Sequence, residues 1–295
     1  MARAQANGIE LEYETFGDSA DPAILLVMGL GVQLLGWDEA FCKMLVERGF
    51  FVIRFDNRDI GLSEKIEDAP VPDLMALLAG DYSSAGYTVE TMADDAAGLL
   101  DALDIDAAHV VGVSMGGMIA QALAIHHPDR VLSITSWMST TGDRTVGQPK
   151  PEALPALISP QPEGRDAYIE YALGLLKLIG SPGYPPDEDR MRELVGALYD
   201  RSYYPMGFLR QLTAVTASPD RTPALASVRA PTLVIHGEDD PLITVSGGEA
   251  TAKAIPGAKL VRIPGMGHDL PPELWPQFVD AIVENTERAR AGAEA

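Results

Sequence analysis

Three stretches of this sequence carry residue types that could act together on a carbonyl carbon. The first is HVVGVSMGGMIAQ, residues 109–121, in which Gly112-Val113-Ser114-Met115-Gly116 reads G-x-S-x-G and Gly117 follows. Set between a Val-rich run and an Ala-rich one, it fits a tight strand-to-helix turn with the serine in strained backbone angles and its hydroxyl held clear. The helix that starts there aims its dipole and free N–H groups at the same spot, which favours negative charge developing on an oxygen. A phosphate loop is the competing reading of any glycine-rich turn. Neither the G-x-x-x-x-G-K-[ST] nor the G-x-G-x-x-G spacing is present.

A serine hydroxyl is a weak nucleophile and needs a general base, and that base needs a group to fix its tautomer. Of the five histidines, His109 starts the strand below the turn, His126 and His127 end a helix before Pro128, and His236 ends a strand before Gly237. The second stretch holds the fifth: His268 closes Pro264-Gly265-Met266-Gly267-His268, after KLVRI and before the last helical segment. Loops at the carboxyl ends of strands are where an α/β sheet presents its active groups. The third stretch is His236-Gly237-Glu238-Asp239-Asp240-Pro241, directly after TLVI. Its carboxylates could form a metal site or a solvated turn, but consecutive carboxylates on one turn rarely converge on one ion. Asp240 is favoured as the acid because Pro241 restricts its backbone and so directs its side chain. The chain order Ser114, Asp240, His268 is the nucleophile, acid, base order of the α/β-hydrolase template.

The elements that must position these residues can be read from periodicity. IELEYETFG, ILLVMG, FFVIRFD, HVVGVS, VLSITSWM, TLVIHG and KLVRI read as strands. WDEAFCKMLVERG, TVETMADDAAGLLDALDI, GGMIAQALAIHHP and PELWPQFVDAIVENTERAR read as helices. Apolar strands alternating with helices predict an α/β architecture, a mostly parallel sheet covered by helices, with IELEYETFG and its neighbour as an antiparallel edge. Strand signals stop between Ser139 and Pro223, where EGRDAYIEYALGLLKLIG, DEDRMRELVGALYDRSY and MGFLRQLTAVTAS are helix-like and joined by Pro-rich connections. The expected organisation is therefore a core of residues 1–138 and 223–295 with a helical cap over residues 139–222. The final AGAEA reads as a frayed tail.

Composition narrows the partner. Against 22 basic side chains stand 43 acidic ones, a net charge of −21, which repels nucleic acid and anionic lipid and points to a small-molecule partner. The single cysteine, Cys42, permits no internal disulfide, and beside Phe41 and Met44 it reads as a packed hydrophobe. No apolar leader segment opens the chain and no run reaches 18 apolar residues, so no membrane association is expected and the expected location is the cytoplasm. Oligomeric state is not legible in the sequence.

Nearly the whole chain resembles the α/β-hydrolase superfamily, and within it the aclacinomycin methylesterase group of bacterial esterases. The matching pieces are LLVMG at 25–29, Gly36-Trp37, IRFDNRDIGLS at 53–63, HVVGVSMG, PTLVI with Asp240-Pro241, and IPGMGH. The resemblance implies a serine hydrolase with Ser114, Asp240 and His268 as its triad and no cofactor or metal. It also implies an oxyanion hole. Where most such proteins carry His-Gly after the third strand, this chain has Met28-Gly29, so the hole would be the backbone N–H groups of Leu30 and Met115. Met28, Gly29, Leu30, Trp37, Met115, Trp137 and Met266 are the expected substrate walls, apolar or aromatic around a small, neutral carboxylic ester. Arg144, Arg201 and Arg210 are the cap residues that could add a positive charge. Arg58, Asp59, Gly61 and Ser63 are expected to hold a loop together. The expected chemistry is acyl transfer through an acyl-enzyme. Lactone opening, C–C bond hydrolysis, cofactor-free perhydrolysis and, outside enzymes, a small-molecule receptor with an idle triad are the alternatives.

Overall fold

The computed structural model describes residues 1–293. Eight strands form one sheet: β1 Ala2–Ala6, β2 Ile9–Phe16, β3 Ala23–Val27, β4 Phe51–Phe55, β5 Ala108–Val113, β6 Val131–Trp137, β7 Thr232–Gly237 and β8 Lys259–Ile263. Their order is β1-β2-β4-β3-β5-β6-β7-β8. β1, β2 and β4 pair antiparallel, and from β4 to β8 every pairing is parallel. β3, β5 and β7 are buried along their whole length, as strands covered on both faces must be.

The antiparallel edge lies one strand earlier than the sequence predicts. IELEYETF pairs with β1 and β4, while the expected neighbour, β3, lies inside the parallel region. β1 itself is ARAQA, without the β-branched or aromatic residues that mark strands. Its register is set by a two-residue loop, Asn7-Gly8, with positive φ at both positions, joining Ala6 to its partner Ile9.

The helices, in chain order, are α1 Glu39–Val46, α2 Leu74–Leu78, α3 Val89–Ala102, α4 Met115–His126, α5 Pro155–Ile158, α6 Arg165–Ile179, α7 Glu188–Arg201, α8 Pro205–Ala217, α9 Thr222–Leu225, α10 Ser246–Ala254 and α11 Trp275–Ala293. Strand side chains alternate between two cores. Leu25 and Val27 join α3 and α4 on one face, and Ile24 and Leu26 join α1 and α11 on the other. Cys42 packs in the second core, where burial pushes its thiol up to about 12. α4 is buried from Met115 through Ala124, which explains why its sequence is apolar all round. Of the expected frayed tail, Ala291–Ala293 continue α11, and Glu294 and Ala295 lie outside the described residues.

The helical stretch between β6 and β7 is tied to the loop after β4 by buried charges. Arg201 on α7 meets Asp56 at 2.7 Å, and Arg210 on α8 meets Asp59 at 3.1 Å. Gln211 Nε2 donates to Arg58 O at 2.9 Å while its Oε1 accepts from Gly31 N at 2.9 Å. Within the core, Arg58 pairs with Asp95, and Ser63 Oγ donates to Asp56 O at 2.6 Å. NRDIGLS thus serves as a loop brace and as the seat for the helices above it. Among the described residues, no helix is long and apolar enough to cross a membrane.

Candidate active site

The parallel registers bring the carboxyl ends of five strands into one row. Val27 lies opposite Gly112, Val113 opposite Trp137, Trp137 opposite Ile235, and Gly237 opposite Ile263. The segments that follow, Met28–Leu30, Ser114, Met138–Thr140, Glu238–Asp240 and Pro264–His268, therefore emerge at the same edge of the sheet.

Ser114 is the first of these. It has φ 55° and ψ −120°, at the N-terminus of α4. That strained conformation is held by hydrogen bonds from Ser114 N to Trp137 O at 2.8 Å and to Ser114 O from Gly117 N at 2.9 Å and Ser139 Oγ at 2.8 Å. The flanking glycines are required by space: a Cβ on Gly112 would fall 2.0 Å from Gly116 O, and one on Gly116 2.1 Å from Val27 O.

His268 Nε2 lies 3.0 Å from Ser114 Oγ, and His268 Nδ1 lies 2.7 Å from Asp240 Oδ2. With the proton on Nδ1, donated to Asp240, Nε2 is free to accept from the serine hydroxyl. Asp240 is 1% exposed, and its other oxygen accepts from Leu242 N at 2.8 Å and Ile243 N at 2.9 Å. Buried His236 supports the same turn by donating from Nε2 to Ile243 O at 2.7 Å, and burial lowers its pKa, keeping it neutral. The three neighbouring carboxylates diverge: Glu238 pairs with Arg262 at 3.3 Å, Asp239 accepts from Gly265 N at 2.8 Å, and Asp240 faces His268. The other histidines lie elsewhere. His109 is buried against Ser133 Oγ at 2.8 Å, and His127 Nε2 pairs with Asp94 at 2.7 Å.

Ser114 and His268 open on a cavity of 930 Å³. Met28, Gly29, Leu30, Trp37, Met115 and Trp137 border it. Trp37 and Trp137 are 1% and 0% exposed and form its floor, their rings 6.4 Å apart. A Cβ on Gly29 would lie 3.2 Å from Ser114 Cβ, so the Met28-Gly29-Leu30 backbone runs directly beside the serine. Met266 does not border the cavity. Its side chain is fully buried in the core shared by α1 and α11, because the Gly265 turn, with φ 77°, sends it back beneath the loop.

The helical stretch between β6 and β7 contributes walls that sequence periodicity could not reveal, among them Tyr168, Leu176, Tyr203 and Phe208. It also contributes cations. Arg144 borders the cavity, whereas Arg201 and Arg210 are drawn away into their pairs with Asp56 and Asp59. Two unforeseen arginines join it, Arg190, paired with Asp38 at 2.6 Å, and Arg221. Arg221 is 4% exposed and donates to Gln121 Oε1 at 3.3 Å and Thr140 O at 3.2 Å; burial brings its pKa down to about 10. Ser139, Ser181 and Asp269 also brace the site and carried no motif that could have announced them.

Comparison with known proteins agrees with this fold. The family described as alpha/beta hydrolase fold matches residues 22–172, and one described as TAP-like protein matches residues 211–273. The chain is 30% identical to rhodomycin D methylesterase DauP of Streptomyces sp. (strain C5), over 95% of this chain and 96% of that protein. Among solved structures it is similar to the enol-lactonase of Burkholderia xenovorans LB400, with TM-score 0.73, 26% identity and coverage of 96% and 99% of the two chains. A thermophilic esterase from Thermogutta terrifontis is similar with TM-score 0.73, 26% identity and coverage of 98% of each chain.

Proposed function

The chain belongs to the alpha/beta hydrolase fold family, and from that premise we propose that Ser114, His268 and Asp240 carry out its reaction as nucleophile, base and acid. The reaction class is hydrolysis of small carboxylic esters by a serine hydrolase, in keeping with the methylesterase relative. The observation that carries the assignment of residues is the unbroken hydrogen-bonded line from Ser114 Oγ through His268 to Asp240, open to the cavity at its serine end.

Ser114 Oγ attacks the ester carbonyl as His268 Nε2 takes the hydroxyl proton, and Asp240 stabilises the imidazolium that forms. The tetrahedral oxyanion is received by the backbone N–H groups of Leu30 and Met115, the second belonging to the first turn of α4, where N–H groups lack intrahelical acceptors. Collapse expels the alcohol, which takes its proton from His268. Water then attacks the acyl-enzyme with His268 again as base, releasing the acid and restoring Ser114.

Residues 139–222, acting as a cap over the core of residues 1–138 and 223–295, supply the walls that choose the substrate. The partner is a small ester whose body is mainly apolar, received by Met28, Gly29, Trp37 and Trp137 at the floor and by the aromatic cap residues above. The test is a fluorophosphonate probe together with a panel of methyl and p-nitrophenyl esters. Labelling of Ser114 with turnover of esters is the expected result; labelling without turnover of any ester would instead favour a receptor.

A further inference from the structure

His268 is held from two sides. From the core it is held by Asp240. From the cap it is held by residues 179–183, the chain that leaves α6. Gly183 N donates to Gly265 O at 2.8 Å, and His268 N donates to Ile179 O at 2.7 Å. Ser181 stands at the centre: its Oγ accepts from Gly267 N at 2.8 Å and donates to Asp269 Oδ1, and its N donates to Asp269 Oδ2 at 3.1 Å. The two chains meet backbone to backbone, since a Cβ on Gly267 would fall 2.3 Å from Gly180 O. Ser181 is 3% exposed, so its end of the bridge is shielded from water, while Asp269 is half-buried at the cavity edge. Burial raises the Asp269 carboxyl above its usual range, opposed by the two bonds from Ser181.

We propose that Ser181 and Asp269 are positioning residues of the reaction, fixing the His268 ring from the cap side. The inference rests on reading His268 as the base. Leu176 and Ile179 of α6 border the cavity, as does Tyr184 just beyond the bridge. The wall that receives the substrate and the loop that carries the base are thus one hydrogen-bonded body. A base held only by Asp240 could pivot about that one bond, and displacement of about 1 Å is enough to cost roughly 100-fold in rate. Cap and base are coupled through geometry: Asp269 reaches the cavity edge, but both its carboxylate oxygens are engaged by Ser181.

The experiment compares Ser181→Ala, Asp269→Ala and Asp269→Asn by kcat and KM for a neutral ester, by the rate of Ser114 phosphonylation, and by thermal melting. Both alanine variants are expected to lose about 10- to 100-fold in kcat and in labelling rate, with KM within about threefold of wild type. Asp269→Asn keeps an acceptor for Ser181 and should recover part of the loss. Unchanged kcat in the folded variants, or a change confined to KM, would overturn the proposal. If the alanine variants do not fold, Ser181→Cys, which keeps the size but weakens both Oγ bonds, decides: a lowered kcat at unchanged KM supports the bridge, and wild-type kcat refutes it. Ser114→Ala, assayed alongside, separates the two readings, because persistent turnover there would refute the triad itself.

Discussion

At the scale of single residues, the proposed reaction runs along one hydrogen-bonded line, Ser114 to His268 to Asp240, in which each member depends on the next. Once Ser114 or His268 is gone, the other has nothing left to do. Ser114→Ala and His268→Ala should each lower kcat by several orders of magnitude and the double variant by little more, whereas additive losses in steady-state kinetics would refute a common unit. The two adjacent aspartates test the acid. Asp240→Asn removes the carboxylate 2.7 Å from His268 Nδ1 and should lower kcat by about 10⁴. Asp239→Asn alters only the acceptor for Gly265 N and should be mild. The opposite ranking in the same assay would move the acid to Asp239. Ser114, His268 and Asp240 were legible because each stands beside glycine or proline at a strand end, and those neighbours constrain the backbone whatever surrounds it. Ser181 and Asp269 were not, because a serine and an aspartate 88 residues apart acquire meaning only once the chain leaving α6 lies against the histidine loop.

Among the elements, the joint between the helices above the site and the loop after β4 carries the most concentrated electrostatic risk. Arg201 and Asp56 have side chains 9% and 0% exposed, and the carboxylate also accepts from Leu34 N at 2.7 Å and Leu62 N at 2.8 Å. Removing one partner of a buried pair strands the other charge. Arg201→Met should therefore lower unfolding stability by about 3 kcal/mol, measured by urea denaturation. A loss below about 1 kcal/mol would mean that the two backbone donors suffice for Asp56. The elements themselves were legible where periodicity is long: α1, α3, α6 and α7 lie within segments read as helix, α4 and α8 begin one residue before theirs, and α11 runs three residues past its own. Short ones escaped. α2 and α5 have five and four residues, too few for a 3.6-residue period to repeat convincingly. β1 was missed because its strand character comes from pairing across Asn7-Gly8 and not from its own side chains.

For the whole molecule, charge and burial set responses to salt and pH. The net charge of −21 should hold a free carboxylate away from the cavity mouth, so a neutral ester should exceed its matched anionic analogue in kcat/KM at low salt. The gap should narrow as salt screens the field. A preference for the anionic ester would show that Arg144 or Arg221, at the cavity border, outweighs the global field. His109, inside the sheet, governs a pH response. Burial lowers its pKa from 6.5 to about 4, so the folded protein keeps it neutral while the unfolded chain takes up a proton. Its contribution is complete above pH 6.5 and is lost as pH falls toward 4, amounting to about 3 kcal/mol across that window. Urea midpoints for wild type and His109→Asn should therefore diverge less at pH 5 than at pH 7. A constant difference would mean that His109 titrates alike in both states.

The sequence by itself determined the fold class, the strand ends that carry chemistry and the identity of Ser114, His268 and Asp240 as candidates, because these depend on local backbone constraint and on strand and helix periodicity. It also determined the field of −21 charges. Tertiary structure alone decided what those residues face. It turned Met266 inward, tied Arg201 and Arg210 to the core, brought Arg190 and Arg221 to the cavity wall, and set Ser181 against the histidine loop. Apart from the local turn at Gly265 beside Met266, each of these depends on two segments far apart in the chain meeting at a few ångströms. Such meetings are fixed by packing of the whole and leave no local pattern in either segment.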